Sequence, residues 1–234
     1  MLDTLSRDEI VRALAVPASR QTLIRRGAEE GVAEAQAVYG QMLLDQGDAK
    51  AAFGWFLKAA AQHHVMALNM VGRCYDLGWG TTIDKARAAE CYRIAAERGL
   101  DWAMYNYATL LALGDGVAED RAAALVWLTK AAGGGNAKAM NFLGSFAEDG
   151  WACERDLGVA AGWYARAAQG GDFRGCFNHA RMLADAGREE EALMWLRRSG
   201  ATATPAFVEK AVAWCKIGSL GDAGAAAMRE GAGC

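Results

Sequence analysis

The chain has 234 residues, with 53% hydrophobic content, a formal net charge of -3 and six cysteines. A slightly acidic chain does not predict a nucleic-acid surface, which is normally basic. No stretch approaches the roughly 18 apolar residues of a membrane span, and the charged first residues do not resemble a signal peptide. The cysteines follow no regular spacing, so we expect reduced thiols and a cytoplasmic protein.

A 36-residue pattern repeats along the middle of the chain, from Ala67 to Gly175. Small residues mark its fixed phases: Ala67, Ala103, Ala139 and Gly175 share one phase, and Gly72, Ala108, Gly144 and Ala180 share another. A period of this length predicts a solenoid of stacked helical hairpins. We therefore predict an all-α solenoid of about 12–14 antiparallel helices with almost no strand.

The predicted elements run in order from an N-terminal cap to a C-terminal tail. Residues 1–31 are predicted to form capping helices of a partial repeat, the first capped by Asp3 or Ser6 and the second opened by Pro17. Five repeats follow, each with two helices and a Gly-containing loop: 32–64, 65–100, 101–136, 137–171 and 172–200. Residues 201–217 are predicted to form a closing helix capped by Thr204, and 218–234 a Gly/Ala-rich tail, frayed or in a short helix.

An aspartate stands before the second helix of each of the three middle repeats, at Asp84, Asp120 and Asp156. A carboxylate at this position can accept hydrogen bonds from the first free N–H groups of a helix and meets the positive end of the helix dipole. We therefore expect the three aspartates to be N-caps.

Two motifs give the chain a family likeness. The set Ala67, Gly72, Tyr75, Gly78 and Gly80 resembles the Sel-one-like repeat (SLR) family, and so does the set Asp156, Ala160, Trp163, Tyr164, Arg166, Ala167 and Ala168. This family is a branch of the tetratricopeptide repeat superfamily, and the resemblance covers about residues 20–200. It implies a right-handed α/α superhelix that binds other proteins, with no cofactor and no particular partner, since fold alone does not fix function.

The resemblance leaves three functions open. It favours a non-enzymatic adaptor or scaffold that holds a peptide or protein segment in a concave groove. A structural or regulatory subunit of a larger complex is the alternative. A β-lactamase-like enzyme, proposed for disulfide-rich cousins, is a third reading, but the Ser-x-x-Lys motif of such chemistry is absent. We predict no catalytic residue and no metal site.

The first helices of the repeats are expected to line the concave groove. Asn69, Asn106, Asn141 and Asn178 recur on them at two adjacent phases that we place outside the core. An amide can pair with an extended backbone, so we predict that these residues bind the partner, while bridging of neighbouring helices is the alternative. The other predicted partner-binding residues on this face are Arg73, Trp102, Tyr105, Lys138, Phe142, Arg174, Phe177 and Arg181. We expect a segment with some acidic character.

For several other residues, a structural interpretation stands beside a functional one. Trp79 and Trp151 lie in the hairpin loops, where each can pack on its own hairpin or anchor a partner. Cys176 and His179, one helical turn apart, resemble half a metal site, but both stand at core phases and no second pair of ligands is visible. The tryptophans at one phase of the second helices are expected to be packing residues: Trp55, Trp127, Trp163 and Trp195.

Overall fold

Short helices joined by tight turns make up the structure, a computed structural model that describes residues 16–233. Within that range there are thirteen helices and no strand, so the prediction of an all-α repeat solenoid is confirmed. The predicted helix capped by Asp3 or Ser6 lies outside the described residues. The described part forms two compact units, one ending at Glu119 and one starting at Asp120.

Among its described residues the first unit contains six helices, each packed against the next along the chain. They are α1 (Pro17–Glu29), α2 (Ala33–Asp45), α3 (Ala49–Ala61), α4 (Val65–Leu77), α5 (Lys85–Glu97) and α6 (Asp101–Leu113). Buried alanines on these helices let the helix axes approach closely, which suits the ridge-into-groove packing of hairpins.

The second unit contains seven helices. They are α7 (Arg121–Gly133), α8 (Ala137–Asp149), α9 (Leu157–Gln169), α10 (Phe173–Asp185), α11 (Glu189–Thr202), α12 (Pro205–Ile217) and α13 (Gly221–Ala232). Helices α8 and α10, the first helices of two consecutive repeats, also contact each other. In each unit taken by itself, the surface of the first helices is called the first-helix face below: α2, α4 and α6 in the first unit, and α8 and α10 in the second.

Aspartate side chains start the second helices as predicted. Asp84 accepts a hydrogen bond from the backbone N–H of Arg87 at 3.0 Å, and Asp120 accepts one from Ala123 at 2.8 Å. Asp156 accepts from the N–H groups of both Gly158 and Val159. Thr204 is the N-cap residue of α12, as predicted, but its side chain makes no capping hydrogen bond. Pro205 follows it and lacks an N–H, so the first turn of α12 presents one donor fewer.

The two glycines of the Gly-x-Gly loops have different tasks. Gly78 ends α4 in the left-handed conformation, with φ of 73°. Gly80 lies so close to the backbone at Ala49, where α3 begins, that a side chain there would collide with it. The loop of the fourth repeat carries Ala152 instead of the second glycine and still adopts a positive φ of 54°.

Each hairpin core pairs a small residue with a side chain of matching size. A Cβ atom added to Gly72 would lie 2.7 Å from Tyr92, and one added to Gly40 would lie 2.8 Å from Phe56. Gly144 is covered by Tyr164 in the same way. The fifth repeat has the opposite combination, because Ala180 and the smaller Leu196 share its buried cluster. The pattern follows from close packing, in which one extra methyl group must be compensated elsewhere.

The C-terminal segment forms a helix rather than a frayed end. Helix α13 packs against both α11 and α12, and Met228 is fully buried. Gly200 of α11 and Gly231 of α13 permit this contact, since a side chain at either position would collide with the backbone of the other helix. Helices α12 and α13 therefore form one more hairpin after the fifth repeat.

Candidate functional site

The recurrent asparagines join neighbouring first helices. In the first unit, the side-chain amide of Asn106 on α6 donates a hydrogen bond of 3.0 Å to the side-chain oxygen Oδ1 of Asn69 on α4. In the second unit, Asn178 on α10 donates to Asn141 on α8 at 2.9 Å. Asn69 is only 3% exposed, so the placement of this residue outside the core was wrong. The bridging alternative describes these contacts.

Arg181 is held by a carboxylate rather than presented to a partner. Its guanidinium makes two hydrogen bonds of 2.6 Å to the carboxylate of Glu148, and Tyr164 donates a third from its hydroxyl at 2.7 Å. The two hydrogen bonds from Arg181 lower the pKa of Glu148, helped by the one from Tyr164, although partial burial acts in the opposite direction. The arrangement locks α8, α9 and α10 together in the second unit.

Both loop tryptophans pack on their own units. The guanidinium of Arg73 lies over the ring of Trp79, 4.7 Å from its centroid, and Trp79 contacts the buried cluster around Phe56. Trp151 meets Phe146 edge-on with centroids 5.6 Å apart, and Arg121 lies 4.2 Å from its ring centre. Both side chains are half-buried, and their contacts include the preceding hairpin as well as their own.

The predicted aromatic anchors divide into packed and exposed residues. Phe142 packs edge-on against Phe146, and Phe177 packs against Phe207 and Trp214 of α12. Trp102, in contrast, is 44% exposed at the start of α6.

The remaining predicted contacts lie near the helix starts or along α6. Tyr105 and Lys138 are partly buried, and Arg174 is exposed, with its guanidinium 4.7 Å from the ring of Phe173. Because Lys138 lies one 36-residue step after Trp102, and Arg174 one further step on, the helix starts change from apolar to cationic along the chain.

The first-helix face of the first unit holds a cavity of about 460 Å³. It lies between α2 and α4, over Phe56, and its other lining residues are Glu34, Ala37, Val38, Gln41, His64, Val65, Met66, Ala67 and Met70. Met66 is 44% exposed at its edge. Met66 stands one repeat before Trp102, and this shared phase is the sequence signal that points to it.

His64 forms the polar edge of this cavity. Its Nδ1 accepts a hydrogen bond from the N–H of Ala67 at 3.1 Å and so caps α4, while its Nε2 lies 2.7 Å from a carboxylate oxygen of Glu34. Neutral imidazole with the proton on Nε2 satisfies both contacts. The histidine therefore fixes the start of α4 against α2.

Cys176 and His179 have core surroundings. The thiol of Cys176 is buried, which raises its pKa to about 11, and it donates to the carbonyl oxygen of Ala168. His179 packs edge-on against Trp195 at 5.3 Å, and burial lowers its pKa. Within residues 16–233 no group of three or more His, Cys, Asp or Glu side chains is arranged to hold a metal ion. None of the described helices is both long and apolar enough to cross a membrane.

The family model for the Sel1 repeat matches residues 33–64, 65–100, 103–136 and 137–172. The matched segments cover more than half of the chain, which therefore belongs to the Sel1 repeat family. The fifth predicted repeat lies beyond the matched segments, although α10 and α11 form the same kind of hairpin.

Two solved structures are similar over most of the chain. A Sel1 repeat protein from Oxalobacter formigenes has a TM-score of 0.70 and 26% identity, over 86% of this chain and 60% of its own. The protein c5321, a protective antigen present in uropathogenic Escherichia coli strains and displaying an SLR fold, has a TM-score of 0.68 and 25% identity, over 91% of this chain and 48% of its own.

A curated relative is the chitin synthase regulator SKT5 of Saccharomyces cerevisiae. It is 32% identical over 130 residues, which are 54% of this chain and 19% of the relative. The chain therefore spans about a fifth of the length of this relative and about half to three fifths of the two structural neighbours.

Proposed function

We propose that this chain is a non-enzymatic protein-binding scaffold whose first-helix face holds a segment of a partner protein. The cavity between α2 and α4 is the observation that carries the proposal. It is mostly apolar, it has a methionine at its edge, and it is of the size that can enclose a side chain from a partner. Methionine is flexible and polarisable, and it adapts well to different apolar partners.

An aromatic residue one repeat further on extends this surface. Trp102 is exposed at the start of α6, as Met66 is at the start of α4, and both belong to the first unit. Tryptophan is enriched among the residues that contribute most to binding. The partner segment is therefore proposed to place one apolar side chain in the cavity beside Met66 and to cover Trp102.

A regulatory subunit of a larger complex is the second candidate. The name of the yeast relative, a chitin synthase regulator, favours it, since a regulator of this kind acts through another protein. The two candidates share one surface and differ in whether the partner is held permanently. The prediction that the chain is not an enzyme stays a prediction, and so does its cytoplasmic location, which the free thiols of the five described cysteines support.

Site-specific photo-crosslinking in the native cells tests the scaffold proposal. A photoreactive residue is placed at position 66 or 102, and at Ile83, an exposed loop residue, as the control. We expect one protein to be crosslinked from positions 66 and 102 and not from position 83. The substitution Met66→Asp should abolish capture from position 102 while the helical content stays unchanged. Equal capture from all three positions would contradict a specific first-helix site.

A further inference from the structure

A second surface lies on the second helices, where a cation covers each tryptophan. In the second unit, the ammonium of Lys130 lies 4.4 Å from the ring centre of Trp127 on α7, and the guanidinium of Arg166 lies 4.4 Å from that of Trp163 on α9. The guanidinium of Arg198 lies 4.6 Å from the ring centre of Trp195 on α11. These six residues are called the basic–aromatic row.

Each repeat has either both the cation and the tryptophan or neither of them. In the first unit, Lys58 lies 3.8 Å from the ring centre of Trp55. The second repeat has Cys91 at the tryptophan phase, and there the cation is replaced by Ile94. Residues three apart face each other on a helix, so the stacking follows directly from this spacing.

Helix stability alone does not account for the row. A cation in the last turn of a helix is favoured by the helix dipole, and Lys130 and Arg166 occupy such positions. Arg198 does not, because α11 continues to Thr202. All three cations are exposed, and within the part of the chain that the structure describes none of them pairs with a carboxylate.

A cavity of about 400 Å³ opens beside the last pair of the row. Its lining residues are Ala168, Gln169, Gly171, Cys176, Trp195, Arg198 and Thr202. Arg198, Gln169 and Thr202 offer hydrogen-bond donors to a carboxylate. Cys176 stays a neutral thiol at physiological pH, because burial raises its pKa to about 11, so it does not repel an anion.

We propose that the basic–aromatic row binds an acidic segment of a partner protein in an extended conformation, with one carboxylate side chain in the cavity beside Arg198. The three cations lie over aromatic rings and pair with no described carboxylate. Their positive charge is complementary to the negative charge of an acidic segment. An extended chain advances about 3.3 Å per residue, so a segment of roughly 15 residues is long enough to contact more than one pair of the row.

The scaffold proposal rests on Met66 and Trp102 of the first unit, and the row lies in the second unit, so the two proposals succeed or fail independently. The probe is a fluorescently labelled peptide of roughly 15 residues that carries Glu residues with Gly or Ser between them. A peptide of the same length with Gln in place of Glu is compared by fluorescence anisotropy. We expect the acidic peptide to bind more tightly than the Gln peptide.

Two variants with the same change in net charge distinguish the row from general electrostatics. The row variant carries Lys130→Glu, Arg166→Glu and Arg198→Glu, and the control carries Lys210→Glu, Lys216→Glu and Arg229→Glu on α12 and α13. We expect the row variant to weaken peptide binding about tenfold or more and the control to change it less than about twofold. Circular dichroism verifies that both fold, and Gln at the three row positions replaces Glu if the first variant does not.

Three outcomes would overturn the proposal: equal weakening by both variants, no preference for the acidic peptide over the Gln peptide, or tighter binding of a single-stranded oligonucleotide than of the acidic peptide. The variant Met66→Asp distinguishes this proposal from the scaffold proposal. It should leave peptide binding unchanged, because Met66 belongs to the first unit and to another set of helices.

Discussion

The side-chain amide of Asn106 donates a hydrogen bond of 3.0 Å to the buried carbonyl oxygen of Asn69, one repeat earlier. Asn178 and Asn141 repeat this contact in the second unit at 2.9 Å. Asparagine is a poor residue for a helix interior, so its recurrence needs a compensating contact, and this bond supplies it. The amides therefore fix the register of neighbouring first helices.

Removing one amide should weaken the fold. In Asn106→Ala the buried oxygen of Asn69 loses its donor, and we expect the free energy of unfolding to fall by about 1–3 kcal/mol. Asn178→Ala is the matched control, because its acceptor Asn141 is half-buried and can be reached by water. Urea denaturation of both variants measures the difference. Equal small losses would mean that the Asn106 contact does not hold the helices together.

The size match between Gly144 and Tyr164 gives a second prediction. In Gly144→Ala the new methyl group would overlap the tyrosine ring, so we expect a loss of about 1–3 kcal/mol. Gly162 lies on α9 with no atom near its Cβ position, and Gly162→Ala should instead stabilise the protein by about 0.5–1 kcal/mol.

The pairing of Ala180 with Leu196 suggests a rescue of the first variant. Adding Tyr164→Leu to Gly144→Ala reproduces that combination, so the double variant should lose less than the sum of the single losses. Part of the loss should remain, because leucine cannot replace the hydroxyl that donates to Glu148. Additive losses in thermal or urea denaturation would contradict the size match.

The sequence predicts the helices well, because the small residues and capping aspartates recur at fixed phases. It predicts the surface less well. Asn69 shares its phase with Tyr105, Asn141 and Phe177, which are half-buried, yet Asn69 itself is buried. A periodicity cannot show how deeply a neighbouring helix covers a given residue. Nothing in the sequence indicates that Arg181 forms a hydrogen bond with Glu148, which lies 33 residues earlier. A methionine at the start of a helix is typical of ordinary packing, so the sequence alone does not single out Met66.

Acid should remove the contribution of Glu148. The folded protein holds the pKa of this carboxyl below its unfolded value, mainly through the two hydrogen bonds from Arg181. The folded state therefore binds fewer protons, and the contribution is present above the ordinary pKa of about 4.3 and lost as the pH falls through the lowered folded pKa. Glu148→Gln should flatten the dependence of stability on pH in the range from about 5 to 3.

The control for this prediction is Glu191→Gln. Arg188 lowers the pKa of Glu191 in the same direction, but both side chains are exposed, and solvent screens such a pair. Denaturation midpoints of the three proteins at several pH values make the comparison. The same flattening in both variants would show that the partly buried bond to Arg181 has no special role.

Thiol reactivity gives the last prediction, and it also tests the proposed reduced state. Burial raises the pKa to about 11 for four of the cysteines: Cys74, Cys91, Cys176 and Cys215. The thiolate is the reacting form, and at pH 7 only about one such thiol in ten thousand is ionised. Cys153 is exposed in its loop, so it should be alkylated first in the folded protein, while the buried thiols of Cys74, Cys176 and Cys215 should react only as fast as the helices open. Cys91 is half-buried, and its raised pKa should make it react more slowly than an ordinary exposed thiol.

The measurement is alkylation in the absence of reductant, followed over time by mass spectrometry with and without denaturant. In denaturant all six cysteines of the chain should be labelled. The five described cysteines are free, and no regular cysteine spacing in the sequence predicts a disulfide for the sixth, Cys234. Protection of four or more thiols in the unfolded protein would instead indicate disulfides and an oxidising compartment. A buried thiol that reacts as fast as Cys153 would show that its hairpin opens on the timescale of the labelling.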